Sequence, residues 1–205
     1  HGITINGAAT AGGYKIYHNS INLNTDQASG TTAALNVTVA VVAAGALDVR
    51  DNIFANTQTA GATRYSVYSA APATVFSSIN YNDYFSTGSV GFIGGSARNT
   101  LADWQTATTQ DANSLAVDPL FVSATDLHLQ AMSPVANLGT PLAEVTTDID
   151  GNTRSATTPE IGADELAPVV APGSLQFSNA TYSGGEGGSP FTVTVTRTGG
   201  TDGSV

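Results

Sequence analysis

Cysteine is absent from this 205-residue chain. That excludes disulfides, thiolate-bound structural zinc and cysteine nucleophiles together, and leaves the redox compartment open. Charge is scarce, at 11% of residues, and basic charge is scarcest: 6 Lys and Arg stand against 16 Asp and Glu, for a net charge of −10. Nucleic acid is thereby excluded as an expected partner, because phosphate neutralisation needs clustered Lys and Arg. The acidity suits either calcium binding or simple solubility. No apolar run reaches the length of a membrane span; the longest, Val37 to Ala44, is strand-sized and contains Thr38. Neither an initiator Met nor a charged-then-apolar leader opens the chain, which reads as an interior piece of a longer secreted protein.

What is present is a recurring phrase. Tyr14-Lys-Ile-Tyr-His-Asn-Ser-Ile21, Leu47-Asp-Val-Arg-Asp-Asn-Ile-Phe54 and Ser77-Ser-Ile-Asn-Tyr-Asn-Asp-Tyr84 superpose at intervals of roughly thirty residues. Each is apolar at alternate positions and rich in Val, Ile, Tyr and Phe, as a strand requires. The intervening Gly, Ala, Ser, Thr and Asn carry no helical period, which excludes a doubly wound α/β fold. The spacing predicts an all-β solenoid, a parallel β-helix in which each circuit is one coil. Ile16, Val49 and Ile79 would stack inside it. Asn19, Asn52 and Asn82 would form a ladder at the corner, where asparagine tolerates a left-handed turn and stacked amides bond one another. A β-sandwich whose strands share an Asn turn is the competing architecture.

Residues 1–96 read as about three coils and residues 97–166 as a C-terminal cap over the open apolar end. In the cap, Asn99 or Thr100 would start one short helix with Leu101 and Trp104 on one face. Trp104 reads either as a lid on the last coil or as a sugar-stacking platform. Asp126-Leu-His-Leu-Gln130 alternates as a short strand. Residues 167–173, Ala-Pro-Val-Val-Ala-Pro-Gly, form an extended linker. Residues 174–205 hold strands Leu175–Phe177 and Phe191–Arg197, too few to close a sandwich core.

These residues resemble known families. The repeat phrases are similar to the right-handed parallel β-helix regions of large secreted bacterial surface proteins, in the pectate-lyase-like superfamily. The succession Tyr81-Asn-Asp-Tyr84, Leu101-Ala-Asp-Trp104, Asp118-Pro-Leu-Phe121, Asp126-Leu-His-Leu129, Ser133-Pro-Val-Ala136, Asp148-Ile-Asp-Gly151 and Ile161-Gly-Ala-Asp-Glu165 looks like the C-terminal end of such regions. The tail, Phe177-Ser-Asn-Ala-Thr-Tyr182 through Glu186 to Val193–Gly200, resembles the opening of a Calx-beta domain, a calcium-binding β-sandwich. The resemblance implies an extracellular or cell-surface bacterial protein of several modules, with structural or adhesive work. Its partners would be neighbouring copies or modules of the same protein, or glycans. It implies no catalysis, since fold alone supplies none.

Candidate chemistry divides in the same way. A lyase or glycoside hydrolase acting on an acidic glycan would need a base and calcium-holding carboxylates on the outward face. Superposition stacks Lys15 on Asp48, Tyr17 on Arg50 and His18 on Asp51, making Arg50, Asp48 and Lys15 the candidate catalytic residues. The same overlay makes Lys15–Asp48 and His18–Asp51 plain cross-strand pairs. Asp148-Ile-Asp-Gly-Asn152 reads either as a calcium loop holding Asp148 and Asp150 or as a tight turn. The full EF-hand ligand pattern is missing there, with Thr157 where a Glu belongs. Glu186 stands where the Calx-beta resemblance implies one calcium ligand. His1, His18 and His128 are scattered, without metal-site spacing. The tail strands read either as a clipped domain or as strands that a neighbouring chain completes, which would yield a fibre.

Overall fold

Short β-branched and aromatic phrases separated by small polar residues bury their apolar positions most readily against copies of themselves. The computed structural model describes residues 1–7, 13–166, 173–184, 187 and 192–199. In chain order the elements are β1 (Ile3–Ile5), β2 (Tyr14–Tyr17), β3 (Ser20–Leu23), β4 (Gln27–Val37), β5 (Leu47–Arg50), β6 (Ile53–Asn56) and β7 (Gly61–Ser69). There follow β8 (Phe76–Asn80), β9 (Asp83–Ser86), β10 (Ser89–Ile93), β11 (Ser96–Arg98), α1 (Leu101–Thr108), β12 (Ser174–Phe177) and β13 (Val195–Thr198). The described chain is thus all-β with one short α-helix, and it divides into two compact units, His1–Leu166 and Ala167–Val205.

In the first unit the chain visits three sheets in a fixed order. Parallel pairing builds β2–β5–β8, β3–β6–β9 and β1–β4–β7–β10, the last edged by antiparallel β11. The register matches the sequence overlay at Lys15–Asp48, Tyr17–Arg50 and Val49–Ile79, and departs from it at one place, where Leu47 lies opposite Phe76 rather than Ser77 across a shift in register. Ile16, Val49 and Ile79 are buried together in one core with Leu35, Leu47, Phe54 and Val67.

A second core was not legible beforehand. β6 is buried on both faces: Phe54 points into the first core, while Ile53 and Ala55 pack outward on Leu129, Val135 and Ile161. A parallel strand covered on both sides carries an unbroken apolar run, and Ile53-Phe-Ala55 is that run.

The segment expected to cap the open end divides in two. α1 closes the core, capped by Thr100 in a capping box with Asp103. Trp104 is fully buried against Gly91, where a Cβ would sit 2.4 Å from its ring. Its Nε1 donates to Asp111 Oδ2 at 2.6 Å, and the Tyr84 hydroxyl donates to the same oxygen at 2.7 Å. The residues beyond instead return along the side of the stack as a strap. Asn24 Nδ2 donates to the Ala124 carbonyl at 2.6 Å, Gly162 N to the Asp51 carbonyl at 2.8 Å and Ala163 N to Ser20 Oγ at 2.9 Å. The strand expected at Asp126–Gln130 reduces to a single antiparallel bridge between Phe121 and Leu129. The chain turns back where Ser123 N donates to the Asp126 carbonyl at 3.1 Å, and the Leu129 amide faces the other way, to the Asp164 carboxylate at 2.7 Å.

In the second unit β12 and β13 pair antiparallel, from Ser174–Thr198 to Phe177–Val195. The later strand starts at Val195 rather than earlier, and both Phe191 and Glu186 lie outside the described residues. Leu175, Phe177 and Val195 are exposed on this pair.

Candidate functional site

The corner between the first two sheets carries the expected ladder. Asn19 Nδ2 and its backbone N–H both donate to Asn52 Oδ1, at 2.9 and 3.0 Å. Asn52 repeats the pair onto Asn82 Oδ1 at the same distances. Asn82 N then donates to Ser114 Oγ at 2.8 Å, which continues the column past the last repeat. One detail differs from expectation. The left-handed residues are those preceding each asparagine, His18 (φ 50°), Asp51 (φ 59°) and Tyr81 (φ 57°). The asparagines themselves keep their amides free to bridge between circuits.

On the outward face of β2–β5–β8, two of the candidate catalytic residues, Asp48 and Arg50, form a closed network with Tyr17. Both oxygens of Asp48 accept from Arg50, Nε and Nη2 each at 2.7 Å, and Oδ2 also accepts from the Tyr17 hydroxyl at 2.6 Å. Arg50 lies over the Tyr17 ring with its Cζ 5.1 Å from the centroid. Burial would raise the Asp48 pKa, but these hydrogen bonds outweigh it and hold the carboxyl below its usual value. The same bonds push Arg50 further up, away from the range of a base. Lys15 lies opposite Asp48 in register yet pairs with Glu144 of the strap. Of the two expected cross-strand pairs, Lys15–Asp48 is therefore replaced.

His18 and Asp51 are side by side as the overlay required, but beneath the strap rather than on the open face. Both are buried, with Nε2 and Oδ2 facing each other at 3.7 Å. Asp51 Oδ1 accepts from Thr140 N at 2.8 Å, and His18 Nδ1 lies 3.3 Å from the Gly162 carbonyl. Desolvation pushes Asp51 up to about 7 and His18 down to about 4, so both favour their neutral forms. The strap adds Glu160, Glu165 and Arg154, all buried. Arg154 Nη1 reaches Glu165 Oε2 at 3.3 Å, and Glu165 Oε2 accepts from Glu160 N at 3.1 Å. Burial, with the neighbouring Glu165, raises Glu160 to about 8.

The Asp148–Asn152 segment adopts the tight turn. Asp148 Oδ1 accepts from Asp150 N at 2.9 Å and Asn152 N at 2.7 Å; its Oδ2 accepts from Asn152 Nδ2 at 3.0 Å and Glu165 N at 3.1 Å. Asp148 thus shapes the turn, and Asp150 projects from it. Asp150 Oδ2 meets His128 Nε2 at 2.9 Å, and Asp126 Oδ1 meets His128 Nδ1 at 2.5 Å. These two carboxylates raise His128 to about 9. Sequence spacing missed this cluster, since His128, Asp150 and Asp164 come from separate stretches. The available signal was Asp126 beside a histidine that faces away from Leu127 and Leu129.

Compared with known proteins, the chain matches no family model, no curated protein and no solved structure.

Proposed function

We propose that this chain is a non-catalytic structural or adhesive segment of a secreted or cell-surface bacterial protein. In this reading the first unit is a right-handed parallel β-helix and the second is the opening of a Calx-beta-like sandwich. The observation that carries it is the closure of the outward network. Arg50 is chelated by Asp48 and Tyr17, and Lys15 is paired with Glu144, so no candidate base stands free to take a proton from a sugar ring. The matched circuits suit a rigid spacer, which would hold other modules apart or present a polar face to glycans or neighbouring copies.

The second unit bears on how such segments would join. Its strand pair leaves Leu175, Phe177 and Val195 exposed, and two strands alone are marginal in water. Strand addition from a neighbouring copy would cover these side chains.

Light scattering on the full chain and on a version ending at Leu166, each with and without calcium, tests this reading. Long assemblies of the full chain alone support strand exchange and a fibre. Monomers of both forms leave the spacer reading and remove self-assembly. An acidic-glycan screen provides the contrary outcome: cleavage that disappears in Arg50→Ala would replace the structural reading with a lyase or hydrolase.

A further inference from the structure

We propose that His128, Asp150 and Asp164 bind a divalent transition metal, zinc above all, which pins the Asp148–Asn152 turn to the Asp126–Gln130 segment. Their ligand atoms all lie within 4.8 Å of one another, although the strap must fold back to bring them together.

Two observations distinguish this cluster from a surface ion pair. The first is the far side of the imidazole. Asp126 Oδ1 holds Nδ1 at 2.5 Å, the arrangement by which an outer carboxylate fixes the tautomer of a ligating histidine and turns Nε2 toward the metal. The second is Asp164. It is only 6% exposed, yet among the described residues only one of its oxygens takes a donor, the Leu129 amide at 2.7 Å. One oxygen of this carboxylate lies within 4.8 Å of the ligand atoms of His128 and Asp150. An exposed His–Asp pair would need no buried carboxylate beside it.

Charge and donor type narrow the ligand. Three carboxylates, those of Asp126, Asp150 and Asp164, surround one imidazole, so even an imidazolium leaves negative charge in excess. An imidazole nitrogen with carboxylate oxygens is a donor set for zinc and its neighbours. Calcium prefers about six to eight oxygens, and the neighbouring Asp148 already accepts four hydrogen bonds. Tetrahedral zinc with bonds of about 2.0–2.2 Å draws its ligands to roughly 3.3 Å apart. The Asp150 side chain, 50% exposed in its turn, has room to make that adjustment. Three protein ligands leave one position to water.

The test titrates zinc chloride into the purified full chain, read by calorimetry and by thermal unfolding, with calcium and magnesium in parallel. The expected result is one zinc per chain and a raised Tm, both abolished in His128→Ala and in Asp150→Ala. Asp126→Asn, which leaves both zinc-facing ligands in place and keeps an oxygen for the His128 backbone N–H, is expected to weaken zinc binding about tenfold to a hundredfold. It carries the test should either ligand variant misfold. No zinc uptake overturns the proposal. So does uptake unchanged in all three variants, which would move binding to His1 or elsewhere. Calcium binding tighter than zinc and indifferent to His128→Ala overturns it as well.

Discussion

The columns Asn19–Asn52–Asn82 and His18–Asp51–Tyr81 lie one residue apart at the same corner of the stack. In the first, every member is the same uncharged amide, donating and accepting along the repeat. A repeating side chain that carries both functions satisfies its own copy in the next circuit and needs nothing from elsewhere. In the second, what the members share is a left-handed backbone, and the side chains differ. Unlike neighbours cannot satisfy one another by repetition. His18 and Asp51 are covered instead by strap residues far along the chain. The result is a corner whose one column is indifferent to pH while the other buries titratable groups.

The largest effect is expected from breaking the self-satisfying column. Asn52→Ala removes the Oδ1 that accepts from Asn19 N and Nδ2, and the Nδ2 that donates to Asn82 Oδ1 and to the carbonyls of Ile16 and Arg50. Several groups at the corner lose a hydrogen bond at once, so a loss of about 3–5 kcal/mol is expected in urea unfolding. A loss below about 1 kcal/mol would make the ladder decorative.

The second column is broken by pH. Asp51 at about 7 and Glu160 at about 8 keep protons that the unfolded chain has released. Their contribution is present below the unfolded carboxylate range and is lost as pH rises through those folded values. His18, lowered to about 4 from 6.5, acts in the opposite sense: its contribution is present above 6.5 and is lost as pH falls toward 4. Between pH 6.5 and 8.5 the carboxyls dominate, and stability is expected to fall by about 2–3 kcal/mol. The double variant Asp51→Asn, Glu160→Gln should flatten the urea midpoint across that range. Arg154 faces the same groups and is unchanged in that variant. An equal slope in the double variant would move the titration to other residues.

Gly162→Ala separates strap from stack. Gly162 has φ +102°, and a Cβ there would lie 2.6 Å from Ile53 Cδ1 and 2.7 Å from Ser20 Oγ. A cost of about 1–3 kcal/mol is expected, with faster proteolysis within residues 139–166 while the far-UV spectrum is retained. The smallest effect belongs to the open face. Arg50→Ala removes a partly exposed network and should cost less than about 1 kcal/mol, a value that urea midpoints resolve.

The two cores show the same division of legibility. The inner column Ile16–Val49–Ile79 could be read directly, because a buried position that recurs every circuit prints a period on the sequence. The outer core around Ile53, Val135 and Ile161 prints none, since one side is a repeat and the other a single passage of strap. Asp148–Asn152 was legible as a turn from its own residues. The pairing of Asp150 with His128 was not, because nothing local links them. Lys15 was assigned to Asp48 by register and is held instead by Glu144.

By itself the sequence determined the parallel circuits, most of their register, the Asn ladder and a short capped helix carrying Leu101 and Trp104. Each of these rests on contacts between a residue and either its near neighbours or its own copy one circuit on. Only the tertiary structure decided which face stays open, which histidine is buried and which carboxylates converge. Those depend on where one non-repeating segment lies, and its position follows from shape complementarity with the finished stack rather than from any pattern along the chain.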